Sequence, residues 1–227
     1  MDADLKSAVL ASHLRELPAD VIDELMVGAV RQKIPASSVI HREGEGAPLL
    51  ELVVSGIVRG FVTAPDGRTM TVRYCRPGAL LGVMSLFIPE FAMRGSLQAL
   101  VDAELLALSP GVARRAAEQD VRVTLAFLHE QSERAFSFLY EVPGSAFATV
   151  RQRVARHLLD LASEGAPELV VSVSQQQLAE AVGTVREVIV RVLRELRTAG
   201  VVRTERNRIV IVDPARLIAE QDWNSGP

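Results

Sequence analysis

The chain has 227 residues, of which 48% are hydrophobic and 23% charged, and its net charge at pH 7 is −3. This length favours two ordinary domains, and this composition excludes disordered and fibrous proteins. A single cysteine, Cys75, excludes an intrachain disulfide framework and a cysteine-cage zinc or iron–sulfur site.

The N-terminus is charged where a signal peptide would carry its apolar run, and no stretch of about 18 uninterrupted apolar residues occurs. We therefore expect a cytoplasmic protein without a membrane partner. The segment from Leu14 to Ala29 has helical apolar spacing and predicts one short N-terminal helix.

Short β-rich runs follow from Arg31 to Ser109 and recur roughly every ten residues. Pro65-Asp66-Gly67 predicts a hairpin turn between two of them. This spacing indicates a small antiparallel barrel or roll. Cys75 lies in one apolar run, which favours a buried structural thiol over a redox sensor.

A long helix is predicted over 111–142, because the strand signals stop at Pro110. Six of its positions alternate in steps of three and four: Leu125, Leu128, Ser132, Ala135, Leu139 and Val142. This spacing is typical of a coiled-coil seam, and it favours a homodimer contact over packing on the chain's own barrel. Pro143-Gly144 should break the helix and form a hinge.

The rest of the chain predicts a helix ending at Gly165, then a strand, two helices and a hairpin. Ser174 should cap the first of the two helices, Gly183 should end it, and Thr184 should cap the second. The hairpin should turn at Arg206-Asn207. Two short helices joined through a glycine and followed by a hairpin are typical of a winged helix-turn-helix.

The second of these helices has two chemically different faces. Its apolar positions are Val185, Ile189, Leu193 and Leu196, and its opposite side carries Arg186, Glu187, Val190, Arg191 and Arg194. A guanidinium matches two acceptors of guanine, and a carboxylate can accept from the amino group of cytosine. The alternative is a solvated charged face with a Glu187–Arg191 pair. Further arginines follow at 197, 203, 206 and 208, which favours double-stranded DNA as the partner.

These segments of the chain resemble a known family. The segment "VSVSQQQLAEAVGTVREVIVRVLRELRTAGVVRTERNRIVIVDPARL" resembles the DNA-binding signature of the Crp/Fnr transcription regulators. "GEGAPLLELVVSGIVRGF" and "RPGALLGVMSLF" resemble the family's strand pair and its entry to the cyclic-nucleotide cassette. These similarities follow the family's order over nearly the whole chain.

The resemblance implies an α+β fold with three parts: an N-terminal antiparallel, cyclic-nucleotide-binding-like β-roll over 1–110, a dimerisation helix and hinge over 111–147, and a winged helix-turn-helix over 148–227. It implies a homodimer on a palindromic operator, with RNA polymerase as a further partner. Arg186, Glu187 and Arg191 match the family's base-reading residues, so a TGTGA-like half-site is preferred to a TTGAT-like one. Four further DNA contacts are expected: Val190, Ser174, Thr184 and Arg206.

The resemblance breaks at the effector pocket. The position of the family's ribose-binding glutamate is Val83, which accepts no hydrogen bond and argues against cyclic AMP. The effector is therefore unknown, and the pocket candidates are Val83, Met84, Arg94, Ser96, Ser137 and Phe138. A regulator that needs no effector is an alternative, and so is simple core packing at the apolar positions.

No catalytic motif, cofactor or metal site is expected, although haem ligation by His41, His129 or Met84 stays open as an alternative. The chain has no G-x-S-x-G, phosphate-binding-loop or G-x-G-x-x-G run, and its four histidines are scattered. We therefore predict that it is not an enzyme. The remaining alternative is a cupin-like small-molecule-binding barrel with a winged-helix domain that contacts proteins.

Overall fold

The structure is a computed structural model that describes residues 1–46, 48–162, 169–205 and 208–221, with the side chains of 140–146 also left outside the description. It contains two compact units. The first consists of residues 1–62 and 73–138, and the second consists of residues 63–72 and the chain from Leu139 onward.

The N-terminal segment forms two α-helices and a short 3-10 helix. They are α1 (Ala3–Ala11), the 3-10 helix His13–Glu16 and α2 (Ala19–Leu25). Asp2 caps α1 through its side chain, which accepts from the Leu5 N–H at 3.0 Å. The prediction of one helix over 14–29 was therefore wrong, because Pro18, which has no N–H donor, separates two elements in that range.

Within the described residues, eight strands form the β-roll predicted from the spacing of the β-rich runs. They are β1 (Val30–Ile34), β2 (Val39–His41), β3 (Glu51–Ser55), β4 (Val58–Thr63), β5 (Thr69–Cys75), β6 (Leu80–Leu81), β7 (Ser96–Ala99) and β8 (Ala103–Ala107). They build two four-stranded sheets, ordered β1-β8-β3-β6 and β2-β7-β4-β5, in which the described pairs are antiparallel. The predicted Pro-Asp-Gly turn joins β4 to β5, and Gly67 supplies its positive φ of 84°.

Apolar side chains from several strands fill the interior of the roll. One cluster contains Val53, Val58, Leu105 and Cys75, and Cys75 is only 2% exposed, in agreement with a buried structural thiol. A 3-10 helix, Val83–Leu86, follows Gly82, whose φ is +82°. A Cβ at this glycine would lie 2.4 Å from the Leu49 carbonyl oxygen, so only glycine fits there without strain.

Partly buried polar contacts also stabilise the first unit. The His41 imidazole lies 3.1 Å from the nearly buried Glu51 carboxylate and 3.2 Å from Glu45, and these carboxylates raise its pKa, with the hydrogen bond to Glu51 the larger cause. Arg73 of β5 donates to Glu130 at 3.0 Å, and only 8% of the Glu130 side chain is exposed.

The predicted helix over 111–142 is two helices, α3 (Pro110–Gln119) and α4 (Val121–Phe147). They separate at Asp120, whose carboxylate accepts from the Arg122 N–H at 2.8 Å. The predicted break at Pro143-Gly144 was wrong, since α4 continues to Phe147. A proline removes one helical hydrogen bond and need not end a helix.

The C-terminal part of the chain has the predicted order of a helix, a strand, two helices and a hairpin. Its elements are α5 (Val150–Leu161), β9 (Leu169–Val171), α6 (Gln175–Val182), α7 (Arg186–Thr198), β10 (Val202–Glu205), β11 (Arg208–Ile211) and α8 (Pro214–Gln221). The three strands form one sheet in the order β10-β11-β9. Helix α5 ends at Leu161 rather than at the predicted Gly165, which lies outside the described residues.

One arginine joins three helices of this unit. Arg151 of α5 donates from Nε to Glu220 of α8 at 2.6 Å and from Nη1 to Glu195 of α7 at 3.1 Å. The hydrogen bond to Glu220 raises the pKa of Arg151 and lowers that of Glu220.

Among the described residues, no helix combines the length and the apolar character needed to cross a membrane.

Candidate nucleic-acid interface

Helix α7 buries one face completely and exposes the other. The buried face consists of Ile189, Val192, Leu193 and Leu196. Arg186, Glu187 and Arg191 are exposed, and Val190 is half-buried at the edge of that surface. Because the apolar side anchors the helix, the side chains of its first two turns can reach a ligand in solvent.

The start of α7 corrects two details of the prediction. Val185 was expected on the buried face, but it is the N-cap residue and is 54% exposed. Thr184 was expected to cap the helix, but its own N–H instead donates to the Ala179 carbonyl at 3.0 Å at the end of α6. Both differences arise because α7 begins one residue later than the hydrophobic spacing suggested.

The end of α6 and the start of α7 are joined by a tight turn. Gly183 has a φ of +73°, a left-handed conformation in which glycine carries no Cβ penalty. At the other end of α6, the Ser174 hydroxyl accepts from the Gln177 N–H at 3.1 Å, and the Gln177 side chain accepts from the Ser174 N–H at 2.8 Å. The predicted cap is thus a complete capping box.

A groove of about 430 Å³ runs between α6, α7 and the wing formed by β10 and β11. Ser174 and Gln176 line it at the N-terminus of α6, Arg186 at the N-terminus of α7, and Thr204 and Arg208 on the wing. Helix N-termini carry partial positive charge and free N–H groups, which suit phosphate oxygens. The predicted Arg206 lies outside the described residues, and so does Asn207.

Gln176 and Thr204 also line this groove and were not predicted from the sequence. Gln176 could have been found, because it lies in the first turn after the Ser174 cap, where free backbone N–H groups suit a phosphate; its side chain donates to Glu180 at 3.1 Å. Thr204 had no such signal. Its position beside α7 depends on tertiary contact, since Nη1 of Arg197 donates to the Thr204 hydroxyl at 3.5 Å.

The effector-pocket candidates have differing environments. Val83 is 1% exposed and belongs to the apolar core that also contains Leu86. The Ser96 hydroxyl accepts from the Glu43 N–H at 3.0 Å. The four other candidates are exposed: Met84, Arg94, Ser137 and Phe138. Within the parts of the chain that the structure describes, no cluster of three or more histidine, cysteine, aspartate or glutamate side chains is placed to hold a metal ion.

Comparisons with known proteins agree with this architecture. The model of the Crp-like helix-turn-helix domain matches residues 152–220, and that of the cyclic nucleotide-binding domain matches residues 31–120. The cAMP-activated global transcriptional regulator Vfr of Pseudomonas aeruginosa is 26% identical over 200 residues, which cover 84% of this chain and 92% of Vfr.

Solved structures show the same relationship. The c-di-GMP responsive global regulator CLP of Xanthomonas campestris has a TM-score of 0.74 at 26% identity, covering 86% of this chain and 99% of CLP. The catabolite activator protein of Thermus thermophilus is 30% identical, with a TM-score of 0.52 and coverage of 92% of this chain and 97% of that protein. The chain therefore belongs to the Crp/Fnr family of transcription regulators, with a helix-turn-helix DNA-binding domain.

Proposed function

We propose that this regulator binds an inverted-repeat operator as a homodimer and reads each half-site with Arg186, Glu187 and Arg191 in the major groove. One observation carries the proposal: the exposed N-terminal side of α7 holds these three side chains while its opposite side is fixed in the domain core. A recognition helix requires this arrangement.

A TGTGA-like half-site fits the chemistry of these side chains. Each arginine offers a two-donor fork to the O6 and N7 atoms of guanine, and Glu187 can accept from a cytosine amino group. A TTGAT-like half-site offers less to the guanidinium of Arg186. Replacing the G·C pairs opposite Arg186 and Glu187 by A·T should therefore cost about 1 to 3 kcal/mol of binding free energy for each pair replaced.

The phosphate contacts should come from the rim of the groove. Ser174 and Arg208 line the groove, and Thr184 lies in the turn between α6 and α7. We expect Arg206 to contribute as well. Arg208→Ala should weaken binding to all sequences alike and should reduce the salt-dependence slope by about one for each copy in the dimer.

Dimerisation through α4 is supported by the exposure of the predicted seam. Leu125, Leu128 and Leu139 are 44%, 54% and 67% exposed, and Ser132 and Ala135 between them are exposed too. Val142 lies outside the described side chains. The buried positions of α4, which include Val123, Phe127 and Glu130, are on the opposite side of the helix. The apolar seam is therefore available to a second copy of the chain.

Membership of this family implies that RNA polymerase is a partner and that the roll binds a small-molecule ligand. The ligand differs from one family member to another. Vfr is described as activated by cyclic AMP and CLP as responsive to c-di-GMP. In this chain the residue at the ribose-binding position, Val83, is buried in apolar core. We propose that cyclic AMP is not the effector.

A regulator that needs no effector is the second candidate, and the Arg73–Glu130 ion pair favours it. This pair joins strand β5 of the roll directly to α4, with the Glu130 carboxylate almost fully removed from solvent. A contact that the chain makes by itself can hold the roll and the helix in one arrangement without a bound ligand.

Selection of sites from a random duplex library by the purified, effector-free protein tests the base-reading assignment and the proposal that no effector is needed. Enrichment of a TGTGA-like inverted repeat, bound at nanomolar concentration, supports the base-reading assignment and the absence of an effector. Cyclic AMP should then leave the affinity unchanged. Weak, salt-sensitive binding without sequence preference would contradict the effector-independent reading, and a preference unaffected by Arg186→Met would contradict the base-reading assignment.

A further inference from the structure

Arg153 of α5 joins two segments that are far apart in sequence. Its Nη1 donates to the Ala148 carbonyl at 2.8 Å, and its Nε donates to the Val182 carbonyl at 3.2 Å. Ala148 is the first residue after α4, and Val182 is the last residue of α6. The three residues belong to the same compact unit.

Both acceptors lie at or just beyond the C-terminal end of a helix. The last carbonyls of a helix have no partner within it and carry partial negative charge, so a cation there is favoured. A guanidinium is planar and holds its donors in a fixed geometry, whereas a lysine ammonium is a point charge on a flexible stem. The Arg153 side chain can therefore set the distance between its two acceptors.

Val182 stands immediately before the turn that leads into α7. Gly183 follows it in the left-handed conformation, and α7 begins at Arg186, four residues after Val182. A displacement of the Val182 carbonyl would therefore be passed to the first turn of the recognition helix. On the other side, Ala148 is only 8% exposed and follows directly on α4, which carries the dimer seam.

The environment of Arg153 agrees with a fixed side chain. Burial is the main cause that lowers its pKa, and the neighbouring charge of Arg156 adds to this effect. A half-buried guanidinium has lost part of its hydration, so its two carbonyl acceptors hold it in place. If it moved away from either carbonyl, a partly buried N–H donor would have no hydrogen-bond partner, which costs free energy.

We propose that Arg153 is a positioning residue for operator binding, which fixes the recognition helix to the end of α4 and so sets the spacing of the two recognition helices in the dimer. The inference rests on the proposed function. Two half-sites on one face of DNA must be about one helical turn apart, roughly 34 Å, so this spacing decides whether both helices can bind together.

The test compares Arg153→Met and Arg153→Lys with wild type and with Arg156→Met, a matched control one helical turn away on α5. Affinity is measured for the inverted repeat found by selection, for a single half-site and for repeats with one base pair added to or removed from the spacer. We expect Arg153→Met to weaken binding to the inverted repeat by at least about tenfold, the loss typical of a hydrogen bond to a charged group. Half-site affinity should stay within about twofold, and a changed spacer should regain part of the loss.

The outcomes are separable. Parallel losses for the repeat and the half-site, or no loss in either Arg153 variant, would overturn the positioning role. If wild type selects no inverted repeat, the proposed function fails instead. Thermal melting identifies a folding defect, and should Arg153→Met unfold, Arg153→Lys carries the same comparison, because it keeps the charge but not the rigid two-acceptor geometry.

Discussion

Leu128 on the exposed face of α4 offers a quantitative test of the dimer seam. It is 54% exposed in the single chain, and burying a leucine completely contributes about 1.5–3 kcal/mol. Covering the exposed half should therefore contribute about 1 kcal/mol per copy. A two-fold axis puts each residue into the interface twice, so Leu128→Ala should cost the dimer about 2 kcal/mol, a roughly thirty-fold increase in its dissociation constant.

Sedimentation equilibrium over a range of protein concentrations measures that constant directly. Leu10→Ala is the matched control, because Leu10 on α1 is 58% exposed, the substitution is the same and the residue is outside the seam. The control should dimerise like wild type. A dissociation constant for Leu128→Ala within about twofold of wild type, or an equal effect of Leu10→Ala, would refute the assignment of this face to the interface.

Three further predictions concern stability. In a double-mutant cycle, Arg151→Met and Glu220→Gln should show a coupling of about 1 kcal/mol in urea unfolding, since the pair is only partly exposed. Because the pKa of Glu220 is lowered from 4.5, this stability should be present above about pH 4.5 and be lost as the pH falls through the lowered value; a coupling that does not weaken as the pH falls below 4.5 would contradict this. The pKa of His41 is raised from 6.5, so its stabilisation by Glu51 should be complete below about pH 6.5 and be lost as the pH rises through the raised value. Glu51→Gln should reduce this dependence in thermal melts and leave the smaller part that Glu45 supplies. Gly82→Ala should destabilise the first unit by about 2 kcal/mol or more, because the residue has a positive φ and its new Cβ would lie 2.4 Å from a backbone carbonyl oxygen; a melting temperature equal to wild type would contradict the close contact.

Local patterns in the sequence were enough to predict the regular elements of the candidate site. The apolar spacing of α7 identified its buried side at Ile189, Leu193 and Leu196, and Ser174 marked the start of α6. These predictions succeed because hydrophobic periodicity and helix caps depend on residues three or four positions apart. The Pro-Asp-Gly turn was predictable for the same reason.

Element ends were less predictable when they depended on more than the nearest residues. Helix α4 passes through Pro143-Gly144 and ends at Phe147, just before Thr149 caps α5 with a second capping box. A proline raises the free energy of a helix without fixing where it stops, and α4 ends only at Phe147, two residues before the Thr149 capping box of α5.

The sequence by itself determined the family, the order of elements and the chemistry of the recognition helix, because family motifs and amphipathic patterns are written in neighbouring residues. Tertiary structure alone decided the contacts that connect those elements. Arg153 meets Val182 across 29 positions, and Arg73 meets Glu130 across 57. No local pattern distinguishes these arginines from exposed ones, since their partners and their burial exist only once the chain has packed.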